Sequence, residues 1–226
     1  APREILNLGD DRKVVAGWHG DGQRVLFLSE TPTHERVGLY DPEDGSLRWL
    51  VDDPDRCIEG ALPSDDGNAV MLIEIRNARV RASLLDLSTG EETVVRASSG
   101  NLMPVAALPG GDWVGLHYSS RQPTDVVRLT PRADGPATLV SLSRAWERTE
   151  LPRSAFTQAE DFRWRSVDGL KIQGWLYRPK RPAVGTIVWV HGGPTSHSED
   201  EANTAIRFLV ACGFNVLDPN YRGSTG

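Results

Sequence analysis

The chain has 226 residues, of which 39% are hydrophobic and 25% are charged, and its formal net charge is −6. This composition is typical of a folded globular protein, so it excludes a disordered chain and a coiled coil. The length exceeds one average domain of about 100–200 residues, which predicts two domains or one large one. The acidic balance, without a basic stripe, argues against nucleic acid as a partner. No apolar run reaches the roughly 20 residues of a membrane span, so a membrane partner is not expected either.

The cysteines and the first residues indicate the compartment. Cys57 and Cys212 are far apart in sequence, and two lone thiols fit a reducing compartment better than a disulfide framework. Residues Ala1–Glu4 lack the basic and apolar regions of a secretory signal. We therefore expect a cytoplasmic protein, and a single long-range disulfide is left open as the alternative.

Turn-forming residue pairs recur along the first two thirds of the chain at nearly constant spacing. Asp21-Gly22, Asp66-Gly67 and Gly110-Gly111 stand 45 and 44 residues apart, and a strand-like run follows each pair. Each unit reads as strand, turn, strand, turn and strand, without a helical period. A period of about 40–50 residues with several short strands is typical of propeller blades. About three blades are predicted, with further blades outside this chain, and a β-sandwich of about nine strands is the alternative.

The pattern changes near residue 150, which predicts one domain over residues 1–150 and a second over residues 151–226. Asp161–Ser166 and Lys171–Pro179 are predicted to be strands. Val167–Leu170 between them contains an Asp-Gly pair, which is typical of a hairpin turn.

The following segment alternates strand and helix patterns. Gly185–Val190 is a continuous apolar run, as in a strand buried on both faces of a parallel sheet. A helix is predicted from Glu199 to Cys212, with acidic residues in its first turn, and Phe214–Asp218 is the next strand. This order predicts a βαβ unit and the beginning of an α/β domain.

A glycine-rich motif, His191-Gly192-Gly193-Pro194, follows the apolar strand directly. Two glycines at this place expose backbone N–H groups and allow a substrate to approach closely. In α/β-hydrolases such a motif supplies an N–H group of the oxyanion hole. A tight turn without catalytic meaning is the alternative.

Several motifs occur together in one order: Asp168-Gly169, Gly174–Pro179, His191–Pro194, Gly213–Leu217 and Asn220–Gly226. In this combination the chain resembles the prolyl oligopeptidase family of serine peptidases, most closely its acylaminoacyl-peptidase branch. The resemblance implies late propeller blades followed by the N-terminal part of an α/β-hydrolase domain. It also implies a Ser-Asp-His triad and an oligopeptide substrate, with no cofactor and no metal ion.

The resemblance also implies roles for individual residues. Gly193 matches the oxyanion-hole residue through its backbone N–H, and His191 and Gly192 shape the same loop. The sequence departs from the family because it contains no Gly-x-Ser-x-Gly. The triad is therefore expected outside these residues, in the remainder of the polypeptide or in a second chain. A homo-oligomer is also expected.

The resemblance leaves several functions open. Dipeptidyl-peptidase, prolyl-oligopeptidase and puromycin-hydrolase activities are alternatives to the release of N-acylated amino acids. A truncated, non-catalytic propeller fragment that serves in binding is the alternative from another class.

Individual residues allow other interpretations. His191 could act as a general base, but no nucleophile lies near it in sequence. Ser224 could act as a nucleophile, but it does not lie in the Gly-x-Ser-x-Gly turn expected for one. His191, His197, Glu199 and Asp200 fit no familiar zinc spacing.

Further residues are expected to have structural roles. Arg222 is expected in an ion pair within the hydrolase domain, and Trp175 and Trp189 are expected in the core. Three arginines between residues 76 and 81 fit either a solvated hairpin or a channel that steers acidic peptides.

Overall fold

The structure is a computed structural model that describes residues 6–193 and 195–226. Ala1–Glu4 and Pro194, which the sequence analysis used, lie outside the described residues. Among these residues, sixteen strands form four sheets of four strands each, and there are two α-helices.

The first three sheets are antiparallel meanders whose strands follow one another in chain order. Blade 1 consists of β1 (Arg12–Trp18), β2 (Val25–Glu30), β3 (Glu35–Tyr40) and β4 (Leu47–Asp52). Blade 2 consists of β5 (Cys57–Pro63), β6 (Ala69–Ile75), β7 (Val80–Asp86) and β8 (Glu92–Val95). Blade 3 consists of β9 (Asn101–Ala107), β10 (Trp113–Ser119), β11 (Gln122–Thr130) and β12 (Thr138–Ser141). The three predicted blades are confirmed.

Each blade has one strand more than the sequence pattern predicted, and the missed strand is the first. In β5 and β9 the residues Gly60, Pro63 and Pro104 interrupt the alternation that identifies a strand. Both strands lie at the edge of their sheet, where a proline is tolerated because one side of the strand needs no ladder hydrogen bond.

The blades pack face to face, so blade 2 buries both of its surfaces. Leu72 points toward blade 1 and packs in a core with Leu26 and Val37. Its neighbour Met71 points the other way and packs with Trp113 of blade 3. The alternation along β6 therefore places apolar residues in two separate cores, which is radial blade stacking rather than a sandwich.

A connecting segment leads from blade 3 to the fourth sheet. It contains the short helix α1 (Ala145–Arg148) and a 3₁₀ turn at Arg153–Ala155. The boundary at residue 150 falls in this segment, and the division into residues 1–150 and 151–226 stays a prediction.

The fourth sheet is mixed and has the order β13-β14-β16-β15. Its elements are β13 (Ala159–Arg165), β14 (Lys171–Tyr177), β15 (Gly185–Val188), α2 (Thr204–Ala211) and β16 (Phe214–Asn220). β15 and β16 are parallel, as the βαβ prediction requires. The predicted hairpin is also present: the Gly169 N–H donates to Ser166 O, and Gly169 has a φ of 84°.

Two predictions for this sheet need correction. The strand at 185–190 ends at Val188 and pairs only with β16, so Val188 and Val190 are more than half exposed instead of buried on both faces. Trp189 is likewise 36% exposed and not in the core, whereas Trp175 is 1% exposed, as expected. The reason is the strand order, which places β15 at the sheet edge among the described residues.

The predicted helix begins later than expected, at Thr204 instead of Glu199. Its N-terminus is capped by Asn203, whose side-chain oxygen accepts from the N–H groups of Ala205 and Ile206 at 3.0 and 3.2 Å. The acidic residues 199–201 therefore lie in the preceding loop and not in the first helical turn.

Both cysteines are free thiols, with Cys57 partly buried and Cys212 exposed. Neither helix in the described part of the chain has the length and apolar character needed to cross a membrane.

Candidate functional site

The glycine-rich loop lies beyond the C-terminal end of the parallel strand β15, separated from it by Trp189 and Val190. Gly193 has a φ of 136°, and a Cβ at this position would lie 3.0 Å from the backbone nitrogen of Thr195. The loop therefore needs glycine both for its backbone conformation and for space. The Gly193 N–H has no hydrogen-bond partner within residues 6–193 and 195–226, and the residue is exposed. An unpartnered backbone donor is thus available in the loop that follows the strand.

His191 connects this loop to the loop that follows β16. Its Nδ1 lies 2.7 Å from the Gly192 carbonyl oxygen, and its Nε2 lies 3.0 Å from Ser224 Oγ. Its ring also stacks on Tyr221 at 4.4 Å between centroids, and the Tyr221 hydroxyl donates to the His191 carbonyl at 2.9 Å. Because a carbonyl only accepts, Nδ1 donates to Gly192 O, and in the tautomer that carries its proton on Nδ1 the Nε2 atom accepts from Ser224.

The contact between His191 and Ser224 joins residues that are 33 positions apart, so sequence reasoning had not paired them. Ser224 lies in a turn, because its N–H donates to Tyr221 O and Gly223 has a φ of 92°. The pair has the geometry of a hydroxyl held by a base, and it also fixes the two loops to one another.

A buried polar network fixes the segment after the glycine-rich loop to the sheet. The Trp175 indole donates to Ser198 O at 2.8 Å, and the Ser198 hydroxyl donates to Asp218 at 2.6 Å. The Asn220 side chain accepts from Ser198 N at 2.7 Å and donates to Gln173 at 2.6 Å. Burial raises the pKa of Asp218 to about 6, although the hydrogen bond from Ser198 opposes that rise.

Blade 3 holds the same segment from the other side. The Tyr118 hydroxyl donates to the Glu199 carboxylate at 2.5 Å. The Ser120 N–H donates to the Asp200 carboxylate at 2.9 Å, and the Asn101 amide donates to the Asp200 carbonyl at 3.1 Å. Burial, followed by the hydrogen bond to Glu199, raises the pKa of Tyr118, so the phenol keeps its proton and remains a donor. Residues 198–200, which follow the glycine-rich loop, are therefore held by hydrogen bonds both from blade 3 and from the fourth sheet.

The side chains of His191, His197, Glu199 and Asp200 are engaged with partners within the protein. His197 contacts Glu199 through Nε2 and Thr225 through Nδ1, both at 2.9 Å. Glu199 and Asp200 are bound by blade 3, and His191 contacts Ser224. Across the described ranges, no group of three or more His, Cys, Asp or Glu side chains is placed to hold a metal ion.

Several arginines form ion pairs at the fourth sheet, among them Arg222 and Arg79. Arg222 pairs with Asp168 of the β13–β14 hairpin at the surface, so the expected ion pair is present. Arg79, from the β6–β7 hairpin of blade 2, pairs with Asp161 at 3.1 Å and lies 4.8 Å above the ring of Trp175.

Comparison with solved structures shows proteins that share the fold of this chain. No family model matches the sequence. A puromycin-hydrolyzing peptidase of Mycobacterium tuberculosis superposes with a TM-score of 0.75 at 19% identity, over 100% of this chain and 36% of that one. An acylaminoacyl peptidase of Pyrococcus horikoshii superposes with a TM-score of 0.72 at 23% identity, over 91% of this chain and 32% of that one.

The fold is that of propeller-containing peptidases. Porphyromonas gingivalis dipeptidyl peptidase 4 matches as well, with a TM-score of 0.68 at 17% identity, over 89% of this chain and 29% of that one. These neighbours are all prolyl oligopeptidase-family peptidases, so the resemblance inferred from the motifs is confirmed at the level of the fold. The chain spans about a third of the length of the structures that it matches.

Proposed function

We propose that the chain is part of a serine peptidase of the prolyl oligopeptidase family. In this proposal, Gly193 donates its backbone N–H to the oxyanion, and the Ser-Asp-His triad lies in the remainder of the protein. The observation that carries the proposal is the unpartnered Gly193 N–H in the loop that follows a parallel strand, in a fold shared with peptidases. No described residue substitutes for the triad in this assignment.

The loop geometry fits stabilisation of a developing negative charge. When a serine attacks a peptide carbonyl, the carbonyl oxygen becomes an oxyanion that needs hydrogen-bond donors held in position beforehand. The Gly193 N–H would be one donor, and the residue after the nucleophile would supply the second. His191 positions the loop, because it contacts Gly192 O and Ser224 and stacks on Tyr221. His191 and Gly192 thus shape the site without touching the substrate.

For the substrate we propose short peptides, with release of N-acylated amino acids as the first activity to test. Similarity to an acylaminoacyl peptidase supports this choice, and similarity to puromycin hydrolases and to dipeptidyl peptidase 4 supports the alternatives to the same degree. A panel of N-acetylated, N-terminally free and prolyl peptide substrates separates the three. A cytoplasmic location and a homo-oligomer remain predictions.

The test uses the complete protein that contains this chain. A fluorophosphonate probe should label it, and peptide mapping should place the label outside residues 1–226. Absence of labelling and of peptide hydrolysis would favour the non-catalytic binding fragment. A label on Ser224 of the wild type, lost in Ser224→Ala, would instead make the pair with His191 the reactive centre.

A glycine substitution tests the oxyanion role. In Gly193→Ala the added methyl group collides with Thr195 N and displaces the N–H. The turnover number should fall by about 10²–10³ with little change in KM. Gly135→Ala is the control, since Gly135 also has a positive φ (109°) but no atom within 4 Å of its added Cβ. An equal loss of turnover in both variants would contradict the role of Gly193.

A further inference from the structure

A cavity of about 590 Å³ beside blades 2 and 3 has an unusual concentration of positive charge. Its lining includes five arginines: Arg56, Arg76, Arg79, Arg81 and Arg96. Only two acidic residues, Glu74 and Glu92, face them there. The whole chain carries a net charge of −6, so this cluster opposes the overall charge of the protein.

Both acidic residues already share one cationic partner, Arg56, within the cavity wall. Arg56 donates to Glu74 at 2.7 Å and to Glu92 at 2.6 Å. The Ser83 hydroxyl also donates to Glu92, at 2.8 Å. Burial opposes ionisation of Glu92, but the hydrogen bonds from Arg56 and Ser83 outweigh it and lower the pKa of Glu92 below its usual range. The other four arginines therefore find no free carboxylate among the lining residues.

Arg79 is fixed by residues of the fourth sheet, and it fixes the hairpin in turn. It pairs with Asp161 and lies over Trp175. The hairpin turn consists of Asn77 and Ala78, with φ values of 53° and 54°, and Ala78 is buried in the core of the fourth sheet. The turn of the arginine-bearing hairpin is thus held against the fourth sheet by Arg79 and Ala78.

Arg76, Arg81 and Arg96 have no ion pair anywhere in residues 6–193 or 195–226. Guanidinium groups that share one cavity repel each other, and the repulsion weakens when anionic oxygen atoms lie between them. A guanidinium has a planar set of donors that binds carboxylate or phosphate in bidentate fashion. The volume is within the range of about 300–1,000 Å³ found for small-molecule sites.

We propose that this cavity binds a small ligand with two or more oxyanion groups, either carboxylates or phosphates, through Arg76, Arg81 and Arg96. A single monovalent anion would engage one guanidinium group and leave the others repelling each other. The proposal is independent of the peptidase activity, because it concerns binding at blades 2 and 3 and not the loop at Gly193.

Isothermal titration calorimetry of the complete protein tests the site. Pyrophosphate and citrate represent the two chemistries, and acetate is the monovalent comparison. At low ionic strength we expect one pyrophosphate or citrate per chain and much weaker binding of acetate. Tighter binding of pyrophosphate would identify phosphate as the ligand chemistry, and tighter binding of citrate would identify carboxylate. No saturable binding of either would overturn the proposal.

Charge-matched variants separate this site from general attraction of anions. Arg76→Gln, Arg81→Gln and Arg96→Gln should each weaken binding by about tenfold, and the triple variant should abolish it. The control replaces Arg121, Arg132 and Arg148, which are exposed and lie outside the cavity, with glutamine. An equal loss in the control would overturn the proposal, and circular dichroism verifies that each variant is folded.

Discussion

Removal of the Tyr118 hydroxyl tests whether blade 3 holds the loop that carries the candidate site. In Tyr118→Phe the Glu199 carboxylate loses a hydrogen bond of 2.5 Å and keeps its contact with His197. Hydrogen bonds to charged groups contribute about 1.5–3 kcal/mol. Because Glu199 retains one partner and its side chain is 20% exposed, the lower half of that range applies, about 1.5–2 kcal/mol.

Tyr177→Phe is the matched control, because the Tyr177 hydroxyl reaches the same loop from the fourth sheet. Its bond is 3.4 Å long and ends on the uncharged carbonyl of Glu201. A neutral bond of this length contributes about 1 kcal/mol or less. The two substitutions remove the same atom from two buried rings, so their difference reports the contribution of the charged acceptor.

Hydrogen exchange is the appropriate assay, because it measures local opening in a protein with several sheets. Peptides that cover residues 195–203 and 118–122 contain the protected amides of Ser198 and Ser120. Their exchange should accelerate about ten- to thirtyfold in Tyr118→Phe and much less in Tyr177→Phe. Unchanged exchange in Tyr118→Phe, or an equal effect in Tyr177→Phe, would refute this account of the loop.

Two further substitutions test the core beneath the loop. Burial raises the pKa of Asp218 to about 6, so the folded protein favours the neutral form of this side chain. The contribution of the neutral carboxyl group to the free energy of unfolding is therefore lost as the pH rises from about 4 through 6. The side chain of Asp218→Asn remains neutral at every pH and can still accept the hydrogen bond from Ser198. Thermal unfolding should show that this variant is about 2–3 kcal/mol more stable than the wild type near pH 7.5. Near pH 4 the two proteins should differ little in stability. In Gly174→Ala the Cβ would lie 2.8 Å from Asp218 O and 3.0 Å from Pro219 Cα, so denaturant unfolding should show a loss of about 1–3 kcal/mol. Gly185→Ala has no contact below 3.7 Å and should cost less; an equal loss would contradict the steric reasoning.

Local patterns in the sequence were enough to predict the blades and the hairpin. Turn pairs such as Asp21-Gly22 and Asp168-Gly169 act through the conformation of their own backbone, and Gly22 and Gly169 indeed have positive φ values. The alternation of apolar residues identified the strands that follow these turns. Such features depend on neighbours within a few residues, so the sequence alone determines them.

Contacts between distant parts of the chain decided the rest. The predicted helix begins five residues late, and Glu199 and Asp200 ahead of it are bound by Tyr118 and Ser120, about 80 positions away. Trp189 is apolar in the same way as Trp175, yet it follows a strand that lies at the sheet edge. The arginine cavity and the pair of His191 with Ser224 likewise arise where separate elements meet. The periodicity of the sequence shows which face of a strand or helix is apolar. Only the packing of the sheets determines which residues that face, and each polar side chain, contacts.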